Sequence, residues 1–418
     1  MRILLSEGSS NSARQVLYGL GRDHQIDLVD PSPWCQCRFS SLVRRRLACP
    51  PIGRDPLGYA KRVAEIVKTH DYDVLFPTHE QVYVFSKFRD VFQSHVGLAV
   101  PDFEAIRRVQ SKTEFVELMN QMGLPIPASR IARDRAELLA HDDFPCFIKL
   151  AHSTASLGVQ KVDNAEELLE AVQRFENNQS FKEGDSVLLQ QPAPGVQSAV
   201  TAVFQEGRLI GYACAEILKT GIGGGPALRV SATHPPVQAH LERFGSALNW
   251  HGPVAIEYFY DEDTQQALYI EANPRIGETL NPTIAGVAIC DAVTRISVGE
   301  RMAPLSQAAP GVMSHNGFIV MIADAYNGAS RTELLKRLLE HWLGRGEYGS
   351  CESEITRLRE DPLSLVPATA VILRLLASPR SANGLAHATV ENYSLPYAAA
   401  RFIDELPEDA LVGCGGLN

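Results

Sequence analysis

Between residues 253 and 273 the chain reads PVAIEYFYDEDTQQALYIEAN, two apolar runs rich in β-formers around a polar stretch. Such runs pair as an antiparallel hairpin. Each carries one glutamate, and Glu257 and Glu271 are equidistant from Thr264. A hairpin centred there sets the two carboxylates face to face, with Asn273 on the same side of the sheet. Opposed like charges in otherwise apolar strands are destabilising. A divalent cation removes that conflict. Two carboxylates and an amide oxygen are a hard donor set, which suits Mg²⁺ or Mn²⁺ rather than zinc. A magnesium ion held by so few protein oxygens completes its shell with water and substrate phosphates. The plainer alternative leaves one glutamate exposed, and a one-residue slip in register would separate the pair.

A second feature points to phosphate. Lys149 lies in the apolar strand Phe147-Ile148-Lys149-Leu150, followed by the small-residue loop Ala151–Gly158. A lysine in that setting either snorkels to water or meets an anion. Small side chains let backbone N–H groups wrap phosphate oxygens, although a plain surface loop reads the same way. The spacing is not that of a Walker A loop.

Residues 1–105 alternate strands (2–6, 25–29, 73–77) with helices (from 12 to 20 and from 59 to 69), the pattern of a parallel sheet covered on both faces. Ligands of such sheets sit beyond the strands' carboxyl ends, here at turns 8–12 and 78–80. The first turn has one glycine where a dinucleotide fingerprint needs three, so no nicotinamide or flavin cofactor is expected. Ser111 and Glu114 open a helix as a capping box, and Phe115, Leu118, Met119 and Met122 follow at helical spacing before Gly123. Leu124-Pro125-Ile126-Pro127 is an extended linker. The region after it predicts hairpins around Glu206-Gly207 and between 260 and 267.

The net charge of −10 argues against a nucleic-acid backbone partner. The one basic run, Arg44-Arg45-Arg46, reads as a solvated helix face or an anion contact. Eight scattered cysteines read as reduced cytosolic thiols, and no apolar stretch is long enough to span a bilayer. A cytoplasmic protein is the expectation.

Taken in order, these segments resemble the ATP-grasp superfamily, in its carbamoyl-phosphate-synthetase-like branch. The matching segments are the helix of Lys112 with its Gly-Leu-Pro-Ile-Pro exit; Phe147–Leu150 with its loop; Leu188-Leu189-Gln190-Gln191 with Pro194-Gly195; Ile256-Glu257; and Glu271-Ala272-Asn273-Pro274-Arg275. The resemblance implies an α/β and α+β architecture. A parallel-sheet pre-ATP-grasp domain (1–105) precedes a small lobe and hinge (106–195), a large lobe (196–305) and a C-terminal extension (306–418). It implies ATP and Mg²⁺, two ions or Mn²⁺ in their place. Lys112 and Lys149 would meet the phosphates, under a lid containing Ser153, Ser156 and Gly158. Gln190, Gln191 and Ala193 would hold adenine, Gln197 the ribose, and Glu257, Glu271 and Asn273 the metal. Arg275, with Lys149, would serve catalysis. Gln191 and Gln197 stand where the family usually has glutamates, which leaves the nucleotide preference open. Glu80, Lys219, Gly224, Arg229 and Glu278 are the substrate-side candidates, with a solvent-facing position the alternative for Glu278.

The implied activity is ADP-forming ligation of a small carboxylic acid, through an acyl-phosphate, to an amine such as that of an amino acid. A carbamoyl- or carboxy-phosphate-forming enzyme and a non-catalytic nucleotide-binding regulator are the alternatives. The C-terminal residues could cap the pocket, mediate a homodimer or contact a membrane.

Overall fold

The computed structural model describes residues 1–152, 158–177, 186–221, 225–349, 351–353, 361–382, 384 and 393–411. Strands β1 (Arg2–Leu5), β2 (Gln25–Val29), β3 (Val43–Leu47) and β4 (Val74–Phe76) form a parallel sheet in the order β3-β2-β1-β4. Alternate residues of β1 feed two cores, as period-two side chains must in a sheet covered on both faces. Leu4 packs with Tyr59 and Val63 of the helix Pro56–Thr69, and Ile3 and Leu5 pack with Val16 and Leu17 of the helix Asn11–Leu20.

The arginine run corrects the sequence reading: Arg44, Arg45 and Arg46 lie in edge strand β3, not on a helix. The reason is Asp27 in β2, only 1% exposed. Its carboxylate accepts from Arg44 Nη2 at 2.6 Å, Arg45 Nε at 2.7 Å and Tyr72 Oη at 2.5 Å. Burial alone would raise its pKa, but these donors outweigh it and hold the carboxyl at about 2. A depressed folded-state pKa is stability present above the unfolded value near 4 and lost as pH falls through about 2. Asp27→Asn is therefore expected to cost about 2 kcal/mol at neutral pH, with the difference shrinking toward pH 2, in urea unfolding of the two proteins.

A second, antiparallel sheet holds β5 (Ser129–Ala132), β6 (Cys146–Leu150), β7 (Val159–Val162) and β8 (Val187–Gln190) in the order β5-β8-β6-β7. The helix Ala165–Asn177 covers it through Leu168, Ala171, Val172 and Phe175.

The largest sheet runs β13-β12-β9-β10-β11-β14-β15. Strands β9 (Val196–Gln205) and β10 (Arg208–Thr220) meet at Glu206-Gly207, both at positive φ (51° and 80°), the geometry of a type I′ turn. Strands β11 (Pro226–Ala232), β12 (Gly252–Asp261) and β13 (Gln266–Asn273) follow. The helix Lys112–Gln121 packs Phe115, Leu118 and Met119 against Tyr258 and Tyr269, so it joins this core although it precedes the small sheet in the chain.

The C-terminal residues span the molecule. β14 (Met313–His315) extends the large sheet beside β11, with β15 (Glu352–Ser353) next to it. Helices Gly317–Tyr326, Arg331–Leu343 and Leu365–Ala377 pack on one another. The helix Tyr397–Glu405 returns to the first sheet, where Ala399, Ala400 and Ile403 join the core of Tyr59 and Val63. Among the described residues no helix is long and apolar enough to cross a membrane.

Candidate active site

The hairpin is the centre of the site. Glu257 and Glu271 are register partners, and Ala255 pairs with Asn273. The register is not centred on Thr264 throughout. Near the turn, Tyr258 pairs with Tyr269 and Asp261 with Gln266, one residue out of step. A bulge at Ile270 absorbs the difference, and only beyond it do the glutamates oppose. Without the extra residue Glu257 would face Ile270. The bulge also turns Ile270 and Glu271 to the same side, so both line one cavity.

That cavity, about 980 Å³, lies where the three sheets meet. One half is lined by Lys112, Phe147, Lys149, Gln190, Gln191, Ala193, Gln197, Glu257, Phe259, Glu271 and Asn273. Lys149 Nζ donates to Gln190 Oε1 at 2.8 Å, and Lys112 Nζ lies 3.4 Å from Glu271 Oε2. Both lysines are buried. Burial pulls the Lys149 pKa down, with Lys112 adding to the effect and Glu271 opposing it.

The carboxylates split. Burial and the charge of Glu271 push Glu257 up to about 7. Burial acts on Glu271 too, but Lys112, Lys149 and Arg275 outweigh it and leave that carboxyl below its ordinary value. Glu257, Glu271 and the Asn273 amide are a hard, acidic donor set that fits a magnesium ion, and a bound cation would relieve the like-charge conflict. Gly195, at φ 94°, passes so close to the Tyr260 carbonyl that a β-carbon would overlap it. That approach ties the segment after Gln190–Ala193 to β12.

The other half adds residues from three directions. Arg275 Nε lies 3.5 Å from Glu80 Oε1, and its Nη2 donates to Asn273 Oδ1 at 3.3 Å. Glu80, 3% exposed, also accepts from Gln110 Nε2 at 2.8 Å. His79 beside it meets the Tyr393 ring at a tilt, centroids 4.2 Å apart and planes 49° apart, and burial and Arg275 push its pKa well down. Glu278 lines the cavity with its side chain 21% exposed: its carboxylate accepts from Gln15 Nε2 and sits 3.6 Å from Arg229 Nη2. Lys219, in contrast, is not among the lining residues. A bulge at Leu218 explains this. Ile217 pairs with Arg229 but Lys219 with Leu228, so the lysine turns to the face opposite Arg229. Gly158 directly precedes β7, while Ser153, Ser156 and Gly224 lie outside the described residues.

The turn 8–12 expected at the ligand edge does line this half through Ser9 and Ser10, whereas sequence reasoning missed Arg14, Gln15 and Tyr393, which lie at or beside it. Arg14 and Gln15 carried a signal, since they interrupt the helix Asn11–Leu20 at positions that are 2% and 1% exposed. Their partners are remote: Gln15 Oε1 accepts from the Thr279 and Leu280 N–H groups, and Arg14 Nη2 donates to the Ser364 carbonyl.

No family model matches the chain. It is 22% identical to a urea amidolyase of Lachancea kluyveri over 215 residues, 48% of this chain and only 12% of that protein's length. Solved structures resemble it over much more of its length. The biotin carboxylase domain of Hydrogenobacter thermophilus 2-oxoglutarate carboxylase, a dimer with MgADP, ADP and bicarbonate, superposes with a TM-score of 0.61 at 17% identity over 75% of this chain and 73% of that one. The Staphylococcus aureus N5-carboxyaminoimidazole synthetase with ADP gives 0.61 at 13% identity over 85% and 90%. The Bacillus licheniformis L-amino acid ligase gives 0.57 at 16% identity over 72% and 76%. This chain has the ATP-grasp fold.

Proposed function

We propose that the protein is an ATP-dependent, ADP-forming ligase that activates a carboxylate as an acyl-phosphate and joins it to an amine. The observation that carries this reading is the opposition of Glu257 and Glu271, with Asn273, in the same cavity as Lys112 and Lys149. Phosphoryl transfer asks a protein for little beyond positioning and charge neutralisation, and this arrangement supplies both.

Gln190 to Ala193 form the adenine wall, Gln197 meets the ribose, and Lys112 and Lys149 hold the phosphates. Glu257, Glu271 and Asn273 would hold one or two Mg²⁺ ions, or Mn²⁺, whose charge would offset that of the β- and γ-phosphates. A carboxylate oxygen attacks the γ-phosphorus and the bond to the β–γ bridging oxygen breaks, releasing ADP. The amine nitrogen then attacks the acyl carbon. Arg275 steadies the oxyanion of the tetrahedral species, phosphate leaves, and the amine proton is lost toward Glu278 or water. The test is ADP release with MgATP, carboxylic acids crossed with amines. Release that requires one acid and one amine supports ligation. Release with the acid alone, or none despite nucleotide binding, overturns it.

The raised pKa of Glu257 has a measurable consequence. Metal binding needs the ionised pair, so a proton leaves Glu257 when the metal enters. MgADP affinity is expected to rise with pH up to about 7, by at most about tenfold per unit, and to level off above it. Titration calorimetry in two buffers of different ionisation enthalpy would show proton release at pH 6 that fades by pH 8.

A further inference from the structure

The acceptor end of the cavity has a wall the ligase reading does not use. Ile319 and Ile322 of the helix Gly317–Tyr326 line it, with Pro367, Ala368 and Val371 of the helix Leu365–Ala377. All five are apolar. Ile322 and Val371 pack one flank on the core of Met321, Leu334 and Leu375 and turn the other to the cavity. The wall is held in place. Ile319 seats on Gly221, where a β-carbon would overlap its Cγ2. The start of the second helix is tied to the first sheet's helix by Arg14 Nη2 to the Ser364 carbonyl at 3.1 Å and Tyr18 Oη to Ser364 Oγ at 3.1 Å. Asp361, just before it, accepts from the Ser41 N–H at 2.9 Å. Apolar surface held open to water is unfavourable in proportion to its area, and an apolar ligand group removes that cost. The opposite charges of Arg229 and Glu278 stand in the same end of the cavity, 3.6 Å apart.

Resting on the ligase reading, we propose that the substrate at this end is an α-amino acid with an apolar side chain of about leucine or phenylalanine size. Its side chain covers Ile319, Ile322, Pro367, Ala368 and Val371. Its carboxylate meets Arg229 and its ammonium group meets Glu278, which leaves the nitrogen on the side of Arg275.

The test is calorimetric titration of glycine, leucine, phenylalanine, glutamate and lysine into the full chain saturated with MgADP. Leucine or phenylalanine is expected to bind at least tenfold tighter than glycine, glutamate or lysine. Ala368→Trp, which fills the wall, is expected to abolish that preference, and the isosteric Val371→Thr to weaken it about fivefold. MgADP affinity, measured in parallel, reports whether each variant has folded. Equal binding of glutamate or lysine, no amino-acid binding in the presence of bound MgADP, or a leucine affinity untouched in both folded variants would overturn the inference while leaving the nucleotide site standing. Failure of MgADP itself to bind would overturn the ligase reading, and this inference with it.

Discussion

Glu271→Gln is expected to lower ADP formation by about a thousandfold while the chain stays folded. Glu271 is the more acidic member of the opposed pair and the one that Lys112 approaches. Exchange for an amide keeps the shape but leaves only Glu257 to balance a cation, and that carboxyl gives up its proton near pH 7. The loss is expected in kcat, because charge spread over the transferring phosphoryl group is greatest in the transition state. Stability should move the other way or hardly at all, since the variant removes one of two like charges directly opposed in a sheet. ADP release and thermal unfolding measured on the same preparation check both halves. An active variant would remove Glu271 from the metal site. An inactive variant with a much lower melting midpoint would assign it a structural role.

Arg275→Met should cost amide formation about a hundredfold to a thousandfold and leave MgADP binding within a few-fold of the parent. The guanidinium reaches Glu80 through Nε and Asn273 through Nη2, so it stands between the opposed carboxylates and the other half of the cavity. Arg275→Lys keeps the charge but cannot span both partners, and only partial recovery is expected. Glu80→Gln tests the same contact from the other side. If Glu80 acts only by holding Arg275, its loss is expected to be smaller and to fall on kcat more than on the nucleotide KM, whereas a direct substrate contact would raise the substrate KM. Product formation measured beside ADP release separates the two steps. A variant that still forms ADP but no amide has lost the second step.

The hairpin of opposed carboxylates was legible because its information is local. Two apolar runs, one carboxylate in each and a polar turn determine a face-to-face pair once the register is right. The register was right for an incomplete reason. The turn is one residue out of the centred pairing, and the bulge at Ile270 compensates. Ile270 lies in an unbroken apolar run, so nothing in the hydrophobic pattern marks it. The arginine run was misread for a related reason. Three consecutive charges have no helical or strand period of their own, and their conformation follows from Asp27, which needs donors inside the sheet. Lys219 is set on the face opposite Arg229 by another bulge, at Leu218, which likewise leaves no mark in the hydrophobic pattern.

By itself the sequence determined the elements that local chemistry can specify: alternating strands and helices before residue 105, the capped helix of Lys112, the Glu206-Gly207 turn and the opposed carboxylates. Each depends on spacing within about twenty residues, where periodicity, turn residues and capping act directly. Only the tertiary structure decided how the far half of the cavity is assembled. Gln15 meets Glu278 across 263 positions of chain, Glu80 meets Arg275 across 195, and Arg14 meets Ser364 across 350. Such contacts follow from how three sheets and the C-terminal helices pack against one another. The same packing turns five ordinary apolar residues into a wall of the cavity, because a side chain's hydrophobicity says that it will be covered, and the fold decides by what.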